Sequence, residues 1–163
     1  MPTSANYAGD YEPQGAIVAQ ASKGTSAAIV KGNVCAVTTG KWNKAATTDT
    51  TGPFAVATKA AATADTTCQL LFQGIVYVKC EGAITVNALV QPSTTTAGAV
   101  MAYTASTINS TTPTGTQVIA GASDFKRVIG IYLGHENEGD GYTIPTDAAD
   151  GDTGRILMTA GGV

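Results

Sequence analysis

The chain has 163 residues and 16.4 kDa, with 13% charged residues, 6% aromatics and a formal net charge of −3. That length suits one compact domain whose core needs neither disulfide nor metal. The nine Lys and Arg form no basic stripe, which argues against nucleic-acid binding, and no run nears the ~18 apolar residues of a membrane-spanning helix.

Residues 1–24 read as an extended N-terminal arm. Tyr7, Gly9, Asp10, Tyr11, Pro13 and Gly15 are turn formers and aromatics without sustained periodicity. Ordering some twenty residues costs roughly 20–40 kcal/mol of backbone entropy. Burying both tyrosines returns only about 8–12 kcal/mol. The arm is therefore expected to be disordered or laid along a partner. The start, MPTSANYAGDY, offers neither the basic region nor the apolar core of a signal peptide, so export by that route is not expected.

The body, residues 25–163, reads as short strands. Ala27 to Val37 predicts strand, turn, strand, with the bend at Lys31-Gly32-Asn33. Lys41 to Lys44 is an exposed edge or turn, Thr47 to Gly52 a polar loop, and Phe54 to Thr58 a short apolar strand. Lys59 to Thr66 is alanine-rich, with room for one helical turn. From Thr67 to Val90 apolar residues alternate (Cys68, Leu70, Phe72, then Val76, Val78), interrupted by Gly74 and Gly82. Period two with Val, Ile, Thr and Tyr marks half-buried strands, and a lone glycine inside such a run marks a bulge or corner. A short strand or one-to-two-turn helix is expected around Val100 to Tyr103, and further strands at Arg127 to Leu133 and Arg155 to Met158. Surface loops fall near 104–121 and 135–150. The fold class is all-β: a small antiparallel β-barrel or sandwich with long loops.

A weak internal repeat runs through these strands. Phe54-Ala-Val-Ala followed by Thr67 to Phe72 parallels Ile129-Gly-Ile-Tyr followed by Thr153 to Met158. Asn33 to Val37 similarly parallels Ala88 to Pro92. Two related β units closing on one another would remove exposed strand edges.

Catalytic chemistry finds little footing. The one histidine, His135, sits in a Gly- and acid-rich loop without a nucleophile elbow. Asp147, Asp150 and Asp152 do not match the spacing of a calcium loop and read as solvated. The three cysteines, Cys35, Cys68 and Cys80, lie in apolar runs without zinc-site spacing and read as buried free thiols, which favours assembly in a reducing cytoplasm. No enzyme, cofactor or metal site is expected.

The order Val30-Lys-Gly-Asn-Val34, Gly52-Pro-Phe-Ala-Val56, Gln73-Gly-Ile-Val-Tyr-Val78, Gly82 to Val90 and Val128-Ile-Gly-Ile-Tyr132 resembles the capsid decoration (cement) proteins of tailed phages, formerly a phage family of unknown function. The resemblance spans residues 27 to 158 apart from the two long loops, with Gly32-Asn33 and Asn87-Ala88 where Gly-Asp turns are common. It implies a homotrimer at three-fold or quasi-three-fold sites on the outer surface of a virion. Its partner would be the major capsid protein, and it would be made in the host cytoplasm; scattered basic residues and the lack of a long apolar run give no nucleic-acid or membrane partner. The coat contacts would come from the arm: Asn6, Tyr7, Tyr11, Pro13 and Ile17. The alternative is a carbohydrate-binding or adhesion module with an aromatic platform of Trp42, Tyr103 and Tyr142.

Overall fold

The structure, a computed structural model, describes residues 7–49, 52–105, 124–134 and 146–159. Its strands are β1 (Ile17–Ser22), β2 (Val34–Thr38), β3 (Lys41–Lys44), β4 (Phe54–Ala57), β5 (Thr67–Lys79), β6 (Leu89–Pro92), β7 (Val100–Ala102), β8 (Gly130–Gly134) and β9 (Thr153–Met158). A single 3-10 turn, Asp124–Arg127, is the only helical element among the described residues. The all-β expectation holds. Lys59 to Thr66 makes turns instead of a helical turn, because it carries no large apolar anchors.

The strand order shows one plan used twice. Around the first half of β5 the order is β1-β5-β4-β2-β3; around its second half it is β5-β9-β8-β6-β7. All these pairings are antiparallel. β5 is thus the last strand of the first unit and the first strand of the second. Each unit closes with one parallel bridge between its first and third strands, Lys23 to Trp42 and Cys80 to Val100. Each also carries the same antiparallel bridge, Ile29 to Ala61 and Ile84 to Ala148.

The turns match too. Gly32 N–H donates to Ala57 O (2.7 Å), and Asn87 N–H donates to Tyr132 O (2.8 Å). Both residues have positive φ, 86° and 68°, a conformation that glycine and asparagine tolerate best. The repeat suspected from sequence is therefore a repeat of topology and register.

Bulk is dealt differently at equivalent positions inside the two units. The first has Ala57, Cys68 and Lys23; the second has Tyr132, Gly154 and Cys80. A side chain at Gly154 would overlap the Tyr132 ring and crowd the Cys80 sulfur, so glycine is required there. Lys23 is 1% exposed, and its ammonium donates to the carbonyls of Gly24 (2.8 Å) and Thr63 (3.4 Å). A buried cation needs such acceptors, since desolvation without them costs several kcal/mol.

Gly74 lets one strand serve two units. Its φ is +123°, and a Cβ there would lie 3.0 Å from the Ala16 Cα. Opposite it the β1–β5 register slips between Ile17 and Val18. The resulting bend is sharp: Gly9 packs against both Ala57, the neighbour of Leu70 on β5, and Tyr77 near the strand's far end.

The sequence boundary at residue 24 shifts. Ile17 to Ser22, assigned to the arm, forms β1 and pairs with β5 along its length. Its small, weakly alternating residues carry little strand signal of their own; the pairing comes from β5.

All three cysteines are free and buried, as expected. Burial pushes the Cys35 and Cys80 thiols up to about 12, from an ordinary value of 9.0. Thiolates form in the unfolded chain before they form in the folded one. The stability present below pH 9 is therefore expected to fall progressively between about pH 9 and 12, read as a declining melting temperature. Gly74→Val is expected to destabilise by about 1–3 kcal/mol in urea unfolding, from backbone strain and the clash with Ala16. An unchanged midpoint would show that β5 does not need this bend.

Candidate functional site: an interaction surface around the N-terminal segment

Residues 9–12 run along an otherwise unpaired edge of β5. Gly9 N–H donates to Tyr77 O (2.6 Å), Tyr77 N–H to Asp10 O (2.8 Å), and Glu12 N–H to Ile75 O (3.0 Å). Tyr11 sits opposite Val76 in the ladder. Two ion pairs flank this short strand: Lys31 to Asp10 at 2.5 Å and Arg155 to Glu12 at 3.4 Å. Side-chain burial alone does not repay the ordering of this segment. The backbone groups of an unpaired strand edge also repay it, through hydrogen bonds. This segment is consequently held on its own domain.

Asp10 organises the start of that segment. One carboxylate oxygen accepts Tyr7 N–H (2.8 Å) and the other accepts the Lys31 ammonium. Partial burial pulls its pKa up. The hydrogen bonds from Lys31 and Tyr7, with the Lys31 charge, outweigh that and hold the carboxyl below its ordinary 3.8.

The backbone is engaged while the side chains stay available. Tyr7 is 67% exposed, Tyr11 40% and Ile17 53%. Pro13 is also exposed, and Asn6 lies outside the described residues. Tyr11, opposite Val76, shares that residue's face of β5; the other face carries a row that the sequence reading missed. Ile75, Leu157, Ile131 and Leu89 are directly opposite one another across four strands, so they share one face. Leu89 and Leu157 are exposed, and the other two are half-buried. The equivalent row of the first unit is Val18, Leu71, Val56 and Val34. There Leu71, Val56 and Val34 are fully buried. Next to the exposed row, a groove of about 480 Å³ is lined by Gln14, Gly15, Gln73, Ile75, Leu157 and Thr159 among others. These residues sit in runs that are apolar on both sides, so no pattern within one strand singles them out; only the register aligns them.

The alternative aromatic platform lies partly outside the described residues. Trp42 is half-buried and packs edge-on against Phe72, with ring centroids 5.4 Å apart and planes at 80°. Tyr103 belongs to the other unit, where its N–H donates to Leu89 O, and Tyr142 lies outside the described residues. His135 also lies outside them.

The aspartates weighed for calcium do structural work at turns. Asp147 accepts Val86 N–H (2.8 Å), Asp150 accepts Gly82 N–H (3.0 Å) and Asp152 accepts Ala149 N–H (2.7 Å). Among the described residues no group of His, Cys, Asp and Glu is arranged to hold a metal ion.

Asp10 makes the docking of residues 9–12 pH-dependent. A depressed carboxyl pKa stabilises the docked state above the unfolded value of 3.8, and this contribution is lost as pH falls through the lower folded value. Asp10→Asn is expected to imitate acid at neutral pH. It should speed hydrogen exchange at the Gly9 and Tyr77 amides while leaving the β4–β5 ladder protected, and equal exchange in both proteins would remove Asp10 from this role. No family model, no curated protein and no solved structure matches this chain.

Proposed function

We propose that this chain is a non-enzymatic structural protein that decorates and stabilises the outer surface of an icosahedral phage capsid. It would act as a homotrimer at three-fold or quasi-three-fold sites, bound to the major capsid protein. The observation that carries the reading is the exposed apolar row Ile75–Leu157–Ile131–Leu89, aligned across four strands of one sheet face. Such a contiguous apolar surface on a low-charge domain suits docking on protein. The capsid assignment comes from the sequence resemblance.

The mechanism would be multivalent clamping. Each copy makes modest contacts, and a trimer turns the second and third into intramolecular events of high effective concentration. Pre-ordering of residues 9–12 lowers the entropic cost of presenting Tyr7 and Tyr11 to the shell. A protein that binds the expanded shell better than the unexpanded one stabilises the expanded state by mass action.

The test is co-sedimentation with expanded capsids lacking this protein, counting copies per coat subunit. Saturation at a fixed lattice ratio, with little binding to unexpanded shells, is expected. The double variant Leu89→Asp with Leu157→Asp should weaken binding at least tenfold, about 1.4 kcal/mol, without lowering the melting temperature. Absence of binding by the wild-type chain across a range of salt would overturn the reading.

A further inference from the structure

The two units differ at one edge. In the second unit the outer edge of its first strand, the latter half of β5, is covered by residues 9–12 through Tyr77 N–H and O and Ile75 O. Val76, between them, is fully buried. In the first unit the corresponding strand is β1, and its corresponding residues are Val18, Ala19 and Gln20. The match follows from register: Gln20 lies opposite Gln69 on β5 just as Tyr77 lies opposite Arg155 on β9.

The Gln20 backbone points away from β5. Gln69 turns its carbonyl toward β4, where it accepts Thr58 N–H (3.1 Å), so Gln20 and Gln69 form a non-hydrogen-bonded pair. The outward Gln20 N–H and Val18 C=O meet no partner among the described residues. Ala19, the counterpart of buried Val76, is exposed.

We propose that a second copy of this chain pairs its β1 antiparallel with this edge, about a two-fold axis at Ala19. Gln20 N–H of each copy donates to Val18 O of the other. The two groups used are the equivalents of Tyr77 N–H and Ile75 O, which already hold a strand in the second unit. One strand supplies both donor and acceptor, which is what an isologous contact requires. Charge favours this occupant: Ile17-Val-Ala-Gln-Ala-Ser22 has no ionised side chain, so a two-fold axis brings no like charges together. The edge strand β3, with Lys41 and Lys44, would repel itself in the same arrangement. Ala19 is small enough for the close approach of about 4.5 Å between Cα atoms in a non-hydrogen-bonded pair. This contact needs no shell, and between trimers it would join β1 of one copy to β1 of a copy in the neighbouring trimer.

The test is oxidative cross-linking of the full chain carrying Ala19→Cys. Paired Cα atoms at that separation fall inside the roughly 4.4–6.8 Å range that a disulfide spans. The native cysteines are buried and do not compete. Copper-phenanthroline oxidation should give several-fold more covalent dimer than Ala27→Cys, an exposed site away from this edge. Adding Gln20→Pro deletes the outward N–H without touching the β1–β5 ladder and should abolish the dimer. Gln20→Lys, which keeps the backbone and places like charges near the axis, should do the same if the proline variant melts early. Equal dimer from Ala19→Cys and Ala27→Cys, or undiminished dimer in the folded Gln20 variants, would overturn the proposal.

Discussion

The structure depends on a single strand answering two sets of hydrogen-bonding demands. β5 completes the first unit through β1 and β4, then opens the second through β9. A straight strand of thirteen residues could not curl into both. Gly74 supplies the bend, and Ala16 packs where its side chain would be. Folding of the two units is thereby coupled, because neither has its full complement of strands without β5. The loop before β7 reinforces the coupling: Val34 N–H donates to Gly98 O, and Gly98 N–H to Ala45 O.

Four of the described aspartates close turns. Asp49, Asp65 and Asp152 each accept the N–H of the alanine three residues earlier, and Asp10 does the same for Tyr7. In every case the aspartate N–H returns a bond to the carbonyl of that earlier residue. This reciprocal turn satisfies two backbone groups at once and needs no large side chain. A chain poor in aromatics and rich in Ala, Thr and Gly can thus hold tight corners. It leaves most strand faces uncharged and suited to packing against protein.

The repeated plan also shows where the chain is incomplete by itself. The first unit has its apolar row buried, whereas the second presents the same row to solvent. The second unit has its leading edge covered by residues 9–12, whereas no described residue bonds to the same edge of the first. Different side chains at equivalent positions, Tyr132 for Ala57 or Cys80 for Lys23, fill the two interiors within one hydrogen-bond pattern. The unmatched surfaces are consequently where contacts with other molecules are best sought.

Much was legible in the sequence because strand alternation and turn chemistry are local. Thr67 to Lys79 announces itself by period two and β-branched residues, and Phe54 to Ala57 and Gly130 to Gly134 by short apolar runs. Gly32, Gly40 and Gly74 mark bends that only a residue tolerating positive φ makes easily, and the free buried state of the cysteines follows from their apolar settings. What the sequence could not reveal is pairing. β1 is a strand because β5 offers it a ladder, and residues 9–12 are ordered because an edge of β5 was vacant. Ile75, Leu157, Ile131 and Leu89 form a surface because four registers coincide. Hydrogen bonds between strands join residues far apart in the chain, and side-chain patterns within one strand carry no record of their partners. Local chemistry therefore determined the elements, and tertiary pairing alone decided which edges and faces remain open.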